Sequence, residues 1–291
     1  MKHLIVVRGG GEIASGIIHC LHRAGFRVLV LEQKKPTATR RRVAFSDAMY
    51  RGEAEVERVT CYRVKTLEEA TKRLKKGEVI MMADPEAKCV SELNPDVLVD
   101  AILNHQSTGT NKDMATHTIA LGPGFCAGRD VDVVVETGRG HNLGRLIYEG
   151  YSSKDLDHGN GTVDTSPNLD HLVVFTGRWP YRGTADDITG GQEMGKTLAH
   201  LHMKDGKTVE IKATIDGVLR GIIYDGVKVA EGQKLADILS DHGAGGMLYD
   251  IGTKPAAIGG SVLEAVMAWQ SKKPKHRFFK SLQYGLAVML Q

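Results

Sequence analysis

Cysteine is scarce in this 291-residue chain. There are four, Cys20, Cys61, Cys89 and Cys126, and no two form a CxxC pair. That scatter gives no support to zinc-ribbon or thioredoxin-type sites and fits reduced thiols in a cytoplasmic protein. Also missing is any apolar run of about 18 residues, so no membrane span is expected, and there is no signal-peptide h-region. The motifs GxSxG, HExxH and the P-loop are absent, so no ready-made nucleophile or metal site stands out. Net charge is only +3, and much of the excess sits in two short basic runs, "QKKPTATRRR" (33–42) and "KKPKHRFFK" (272–280). No recognition motif accompanies them, so nucleic acid is not an expected partner.

What is present is a hydrophobic content of 42%, enough for a sizeable core, on a length that suggests about two domains. "HLIVVR" (3–8) reads as a buried strand. Helical spacing of Ile13, Ile17, Cys20 or Leu21, and Ala24 follows, closed by Gly25, and then a second apolar strand, "FRVLVLE" (26–32). Continuous rather than alternating apolar runs suit a parallel sheet covered on both faces. Strand-like "EVERVTCYRV" (55–64), "EVIMMAD" (78–84) and "DVLVDAI" (96–102) alternate with helical patterns. Those are "FSDAMYRG" with Ser46 as cap, "TLEEATKRLKKG" with Thr66 as cap, and "PEAKCVSEL" beginning at proline. The expected class is α/β: a Rossmann-like doubly wound parallel sheet over residues 1–112.

The turn between the first strand and helix reads Gly9-Gly10-Gly11-Glu12-Ile13-Ala14. Gly9-x-Gly11-x-x-Ala14 is the G/A form of the dinucleotide fingerprint, and Glu32 ends the second strand about 20 residues on, where a ribose hydroxyl would be bound. Gly9 permits the turn, Gly11 the approach of a phosphate, and Ala14 close helix–strand packing. The helix N-terminus then favours an anion. Glu12 places a negative charge close by. Glu32 favours NAD or FAD, whereas Lys34, Lys35, Arg40, Arg41 and Arg42 could instead neutralise a 2′-phosphate or form a solvated loop.

A glycine-rich central region, residues 113–165, holds "LGPGFCAG" (121–128) and "ETGRGHNLGR" (136–145). Gly122, Gly124, Arg139 and Arg145, with Asn111 and Lys112 upstream, could bind a second anion, or the glycines could merely form turns. His141 is the candidate acid–base group. "SSKDLDHGNGTVDTSPN" (152–168) reads as a linker or exposed loop.

Residues 166–291 read as a β-rich domain with a C-terminal helix, "IGGSVLEAVMAW" (258–269), capped by Ser261. "MGKTLAHL" (194–201) and "EGQKLADI" (231–238) form an internal repeat at an offset of 37 residues, suggesting a two-fold barrel-sandwich. "TVEIKATIDGVLRGIIYDGVKVAEGQKLADI" (208–238) resembles the second half of a biotinyl/lipoyl hammerhead domain. In that family a lysine occupies the hairpin before the TVEI-type strand. Gly206 falls at that place here and Lys207 one residue late, so no covalent biotin or lipoate is expected.

Over nearly its full length the chain resembles the selenium-dependent molybdenum hydroxylase system proteins, an accessory group distantly related to xanthine dehydrogenase accessory proteins. The resemblance rests on "VRGGGEIASG" (7–16), "EQKKPTATRRRVAFSDAMYRG" (32–52), "ALGPGFCAG" (120–128), "VVVETGRGHNLGR" (133–145), "IDGVLRGII" (215–223) and "AIGGSVLEA" (257–265). It implies a bacterial cytoplasmic accessory protein for hydroxylases carrying labile selenium, with the apo-hydroxylase or other maturation factors as partners. The expected ligand is a nucleotide: NAD(P), FAD or a molybdopterin-type cofactor. Alternatives are a non-catalytic docking protein for the apo-hydroxylase and a free-standing NAD(P)-dependent oxidoreductase. Cys126, in the "GFCAG" loop, is the candidate for a chalcogen carrier.

Overall fold

The computed structural model describes residues 3–104, 106–153, 162–164, 173–175, 191–192, 195, 197–203, 205–230, 233–239 and 248–272. In chain order the first part runs β1 (Leu4–Arg8), α1 (Glu12–Arg23), β2 (Arg27–Glu32), α2 (Ala48–Arg51), β3 (Glu53–Val56), β4 (Val59–Val64), α3 (Leu67–Leu74), β5 (Val79–Ala83), α4 (Val90–Leu93) and β6 (Val97–Asp100). Then come β7 (His117–Leu121), β8 (Cys126–Ala127), β9 (Val133–Val135), β10 (Leu146–Ile147) and β11 (Gly150–Tyr151).

Nine of these strands form one sheet in the order β10-β9-β7-β6-β1-β2-β5-β4-β3. Its interior pairs are parallel, and an antiparallel strand closes each edge. Apolar residues on both strand faces explain why the sheet is covered on both sides. Ile5, Val7, Val28 and Val30 pack with Ile17, Ile18 and Leu21 of α1. Their neighbours Leu4, Val6, Leu29 and Leu31 pack on the other face with Ala70 and Leu74 of α3. Each fully buried Val, Leu or Ile is worth roughly 1.5–3 kcal/mol, so the central strands anchor the domain.

Several local expectations change in space. Residues 55–64 are not one strand but the β3–β4 hairpin, turning through Glu57 and Arg58 at φ 44° and 66°. Ser46 caps no helix; a 3₁₀ turn occupies Phe45–Asp47, and the Ser46 amide donates to the Gly10 carbonyl at 2.8 Å. Proline does not start a helix at 85, and α4 begins only at Val90. The sheet runs past residue 112, where the sequence sets the end of the first domain, because β7, β9 and β10 of the glycine-rich region extend it. The C-terminal helix α5 (Thr253–Lys272) also returns to this sheet, with Ile258, Val262 and Val266 in the same cluster as α1. It is longer than expected, and Ser261 lies inside it, its hydroxyl donating to the Ala257 carbonyl at 3.1 Å. α1 and α5 approach backbone to backbone: a Cβ on Gly16 would stand 2.4 Å from the Pro255 oxygen.

The remaining strands are β12 (Thr162–Asp164), β13 (Val173–Phe175), β14 (Gly191–Gln192), β15 (Thr197–His202), β16 (Thr208–Lys212), β17 (Gly217–Ile222), β18 (Lys228–Val229) and β19 (Lys234–Leu239). They form two antiparallel four-stranded sheets, β12-β19-β17-β14 and β16-β15-β13-β18. The two copies of the repeat supply β15 to one sheet and β19 to the other. Leu201, Ile211, Leu219, Ile222, Leu235 and Ile238 share one core between them. This establishes a two-sheet β module but not the hammerhead barrel-sandwich, since several joining segments fall outside the described residues. The β15–β16 hairpin turns through Gly206 at φ 85°, and Lys207 there pairs with Asp205 at 3.0 Å. Most of the expected linker at 152–168 and of the basic run at 272–280 lies outside the described residues.

Candidate functional site

The sheet order reverses at its centre. β1 has β2 on one side and β6 on the other, so the loops after β1 and β6 diverge and leave a crevice at the strands' carboxyl ends. Open α/β sheets bind ligands in such a crevice. A cavity of about 780 Å³ lies there. Its walls are Gly9 and Gly11–Ala14 after β1, Leu31–Ala38 after β2, Pro85 after β5, and Ala101–Leu103 and Thr108 after β6.

The three glycines do different work. Gly9 sits at φ +93°, which only glycine adopts readily, and its amide donates to the Leu31 carbonyl at 2.8 Å. Gly10 faces inward, where a Cβ would stand 2.6 Å from Met81 Cε and 3.2 Å from the Ser46 nitrogen. Gly11 caps α1 at φ −67°, an ordinary conformation, and a Cβ there would meet no atom within 4 Å. Neither packing nor φ requires a glycine there, although glycine is a favoured N-cap; its missing side chain also leaves the cavity open. The first amides of α1 have no partner within the helix and open onto the same cavity, carrying the positive end of the helix dipole.

Glu12 does not stand there as a bare charge. Its carboxylate is ion-paired with Arg40, which is 3% exposed. Glu32 lines the cavity but is 9% exposed, and both oxygens are engaged by the chain itself: Oε2 accepts from the Gly10 amide and Oε1 from the Gln33 amide, each at 2.7 Å. Burial pushes its carboxyl above the usual range, against the pull of those two amides. Glu32 therefore braces the glycine loop, whatever else it contacts.

A buried ionic group underlies the crevice. Arg8 and Asp100, register partners at the ends of β1 and β6, pair at 3.2 Å and are 4% and 1% exposed. Arg8 Nη1 also donates to Thr110 Oγ1 at 2.5 Å and the Thr108 carbonyl at 3.1 Å, and Nη2 to the Pro85 carbonyl at 2.9 Å. Thr110 donates onward to Asp100 at 2.6 Å, and Thr108 donates to the same oxygen. This network ties the loop after β6 to the floor of the site. Asp100, Thr108 and Thr110 are not singled out by the sequence, because only the parallel register of β1 and β6 brings Asp100 to Arg8.

The central glycine motifs lie elsewhere on the carboxyl edge. None of Gly122, Gly124, Arg139, His141 and Arg145 lines the cavity. Gly122 and Gly124 have φ of 67° and 103° and are packed tightly, Gly122 beneath the Thr137 hydroxyl and Gly124 against the backbone of Asn104 and Gln106. Glu136 holds the second motif: it accepts from the Gly138 amide at 2.7 Å, the Ser153 amide at 2.7 Å and the Ser153 hydroxyl at 2.8 Å. Burial raises its carboxyl, but these bonds outweigh burial and hold it below the usual range. Arg139, His141 and Arg145 are exposed. This loop leans on α5, where a Cβ on Gly144 would stand 2.6 Å from Ser261 Oγ. Burial, then the charge of Arg139, lowers the half-buried Lys254 amine. Asn111 and Lys112 are spent on local bonds, Lys112 donating to the Gly128 carbonyl at 2.7 Å.

The four cysteines are free thiols. Burial, aided by Asp84, pushes the Cys89 thiol up to about 12, and burial likewise raises Cys20 and the fully buried Cys61. Cys126 is partly exposed on β8, its amide donating to Asp130 at 2.8 Å. Among the described residues no cluster of His, Cys, Asp and Glu could hold a metal, and no helix is long and apolar enough to cross a membrane.

No protein-family model matches the chain. It is 40% identical over 271 residues to the uncharacterised protein YqeB of Escherichia coli (strain K12). That match covers 91% of this chain and 47% of YqeB, so the chain spans about half the length of this relative. Among solved structures, an imine reductase variant from Myxococcus stipitatus in complex with NAD+ is 14% identical, with 47% of this chain and 33% of that one covered and a TM-score of 0.22. The UDP-N-acetylglucosamine 3-dehydrogenase GnnA from Acidithiobacillus ferrooxidans is 10% identical, with 91% and 97% covered and a TM-score of 0.22. Likenesses at this level leave the Rossmann-like character to be read from the sheet itself.

Proposed function

We propose that the chain binds a nucleotide in the crevice between β1 and β6 and serves as an accessory protein in the maturation of selenium-dependent molybdenum hydroxylases. The nucleotide half rests on one observation above others: Gly11, whose absent side chain keeps the cavity open at the amide end of α1. A phosphate at that end would accept from backbone amides and be favoured by the helix dipole. The pairing of Glu12 with Arg40 removes the charge that most opposed this reading. The pathway half rests on the several sequence blocks that resemble the hydroxylase accessory group.

The described lining of the cavity offers Arg8, Glu12, Glu32, Lys34 and Lys35 as its ionisable side chains. Arg8, Glu12 and Glu32 are committed to the protein's own bonds. His141, the candidate acid–base group, is exposed on a loop outside the cavity. This favours holding or delivering a nucleotide over a free-standing oxidoreductase. The ligand class includes NAD(P), FAD and the phosphate-bearing molybdopterin nucleotide. The test is complementation of a bacterial strain that lacks the gene, with hydroxylase activity and bound selenium as readouts. The wild-type gene restores both and Gly11→Asp does not. Equal restoration by Gly11→Asp would separate any maturation role from the cavity.

A further inference from the structure

The basic run after β2 divides sharply in space. Its three arginines face the protein. Arg40 is 3% exposed and paired with Glu12. Arg41 lies 4.7 Å over the Tyr224 ring and 3.9 Å from Asp47, and Arg42 lies 4.5 Å over Tyr249. Together they fasten the loop to α1 and to the β module, where a Cβ on Gly221 would stand 2.5 Å from the Thr39 carbonyl. The two lysines do the opposite. Lys34 and Lys35 are exposed, line the cavity and enter no ion pair among the described residues.

Their position is the end of the crevice at which a bound dinucleotide presents the ribose of its adenosine half, just past the carboxyl end of β2. Discrimination there turns on whether an acidic side chain is offered to the 2′-hydroxyl or a cation to a 2′-phosphate. The acidic side chain present, Glu32, is buried and takes the Gly10 and Gln33 amides on its two oxygens. The exposed ammonium groups of Lys34 and Lys35 line the same cavity, and an ammonium binds phosphate as a point charge without needing a fixed fork.

Building on the nucleotide-site reading above, we infer that the ligand carries a phosphate monoester beside Lys34 and Lys35, so that the site takes a 2′-phosphorylated dinucleotide of the NADP type in preference to its NAD counterpart. Calorimetric titration of the full chain with NADP+ and with NAD+ tests this at two salt concentrations. The expected result is at least about tenfold tighter binding of NADP+ at low salt, narrowing as salt screens the lysines. In the Lys34→Gln/Lys35→Gln variant, with folding checked by circular dichroism, the ratio falls to within about threefold of unity. Equal or tighter binding of NAD+ by the wild type overturns the inference and leaves the nucleotide site standing. Failure of both dinucleotides to bind removes the dinucleotide reading of the site and this inference together.

Discussion

Replacing each glycine of the β1–α1 loop by alanine separates what the fold needs from what a ligand needs. At Gly9 an alanine must adopt φ +93° with its Cβ 3.0 Å from the Ala101 carbonyl oxygen. The left-handed conformation alone costs about 1–2 kcal/mol. At Gly10 the new methyl meets Met81 Cε at 2.6 Å and the Ser46 nitrogen at 3.2 Å, so Met81 must turn aside and the 3₁₀ segment must shift. Overpacking of this kind costs about 1–3 kcal/mol. At Gly11 the methyl enters empty space at an ordinary φ. The entropy gain of about 0.4–1 kcal/mol for Gly→Ala is offset by the poorer N-cap, and net stability stays within about 1 kcal/mol of wild type. Binding behaves in reverse. A methyl on Gly11 stands where a phosphate would reach the helix amides, and losing one charge-assisted hydrogen bond costs about 1.5–3 kcal/mol, or roughly tenfold to a hundredfold in Kd. Urea denaturation and dinucleotide titration of the three variants supply both axes. A stable Gly11→Ala protein with wild-type affinity would refute the claim that this face of the loop meets the ligand.

Other consequences follow from the packing around the site. Arg8→Leu leaves Asp100 buried without its guanidinium and should cost about 3–5 kcal/mol in urea denaturation, partly recovered in Arg8→Leu/Asp100→Leu. Glu136 is held below its reference value of 4.5, so its stabilising contribution is present above that pH and lost as pH falls through its folded value. Thermal melts of wild type and Glu136→Gln should therefore differ most near neutral pH and converge only once pH falls below that folded value. The Tyr50 and Tyr224 rings stack at 3.8 Å and an interplanar angle of 4°. A double-mutant cycle with Tyr50→Leu and Tyr224→Leu should give about 0.5–1.5 kcal/mol of coupling between the two modules.

Local pattern carried much of this architecture. The apolar runs at 3–8 and 26–32, the helical spacing between them and Gly25 at φ 92° are decided by neighbours in sequence, so their elements were legible. Thr66 likewise accepts from the Glu69 amide at 3.2 Å, as its place before an apolar-periodic segment predicts. Long-range pairing was not legible. Arg8 and Asp100 are 92 residues apart, and only the parallel register of β1 and β6 brings them together. The same holds for α5, which packs on α1 through glycines and a proline that look like poor helix residues when read alone. The basic run illustrates a further limit. Charge composition cannot tell Lys34 and Lys35, which face the cavity, from Arg40, Arg41 and Arg42, which grip the surrounding protein. The glycines at 122 and 124 resembled a ligand loop for a similar reason: tight packing and ligand access both call for a missing side chain.

The proposed nucleotide site is the crevice at the ends of β1 and β6. Native mass spectrometry of the full chain, purified without added ligand and then incubated with NADP+, NAD+, FAD and a molybdopterin nucleotide in turn, addresses it most directly. Wild type should carry one bound nucleotide per chain and a folded Gly11→Asp variant none. Spectra of unliganded wild-type protein with every nucleotide, or identical occupancy in Gly11→Asp, would contradict it.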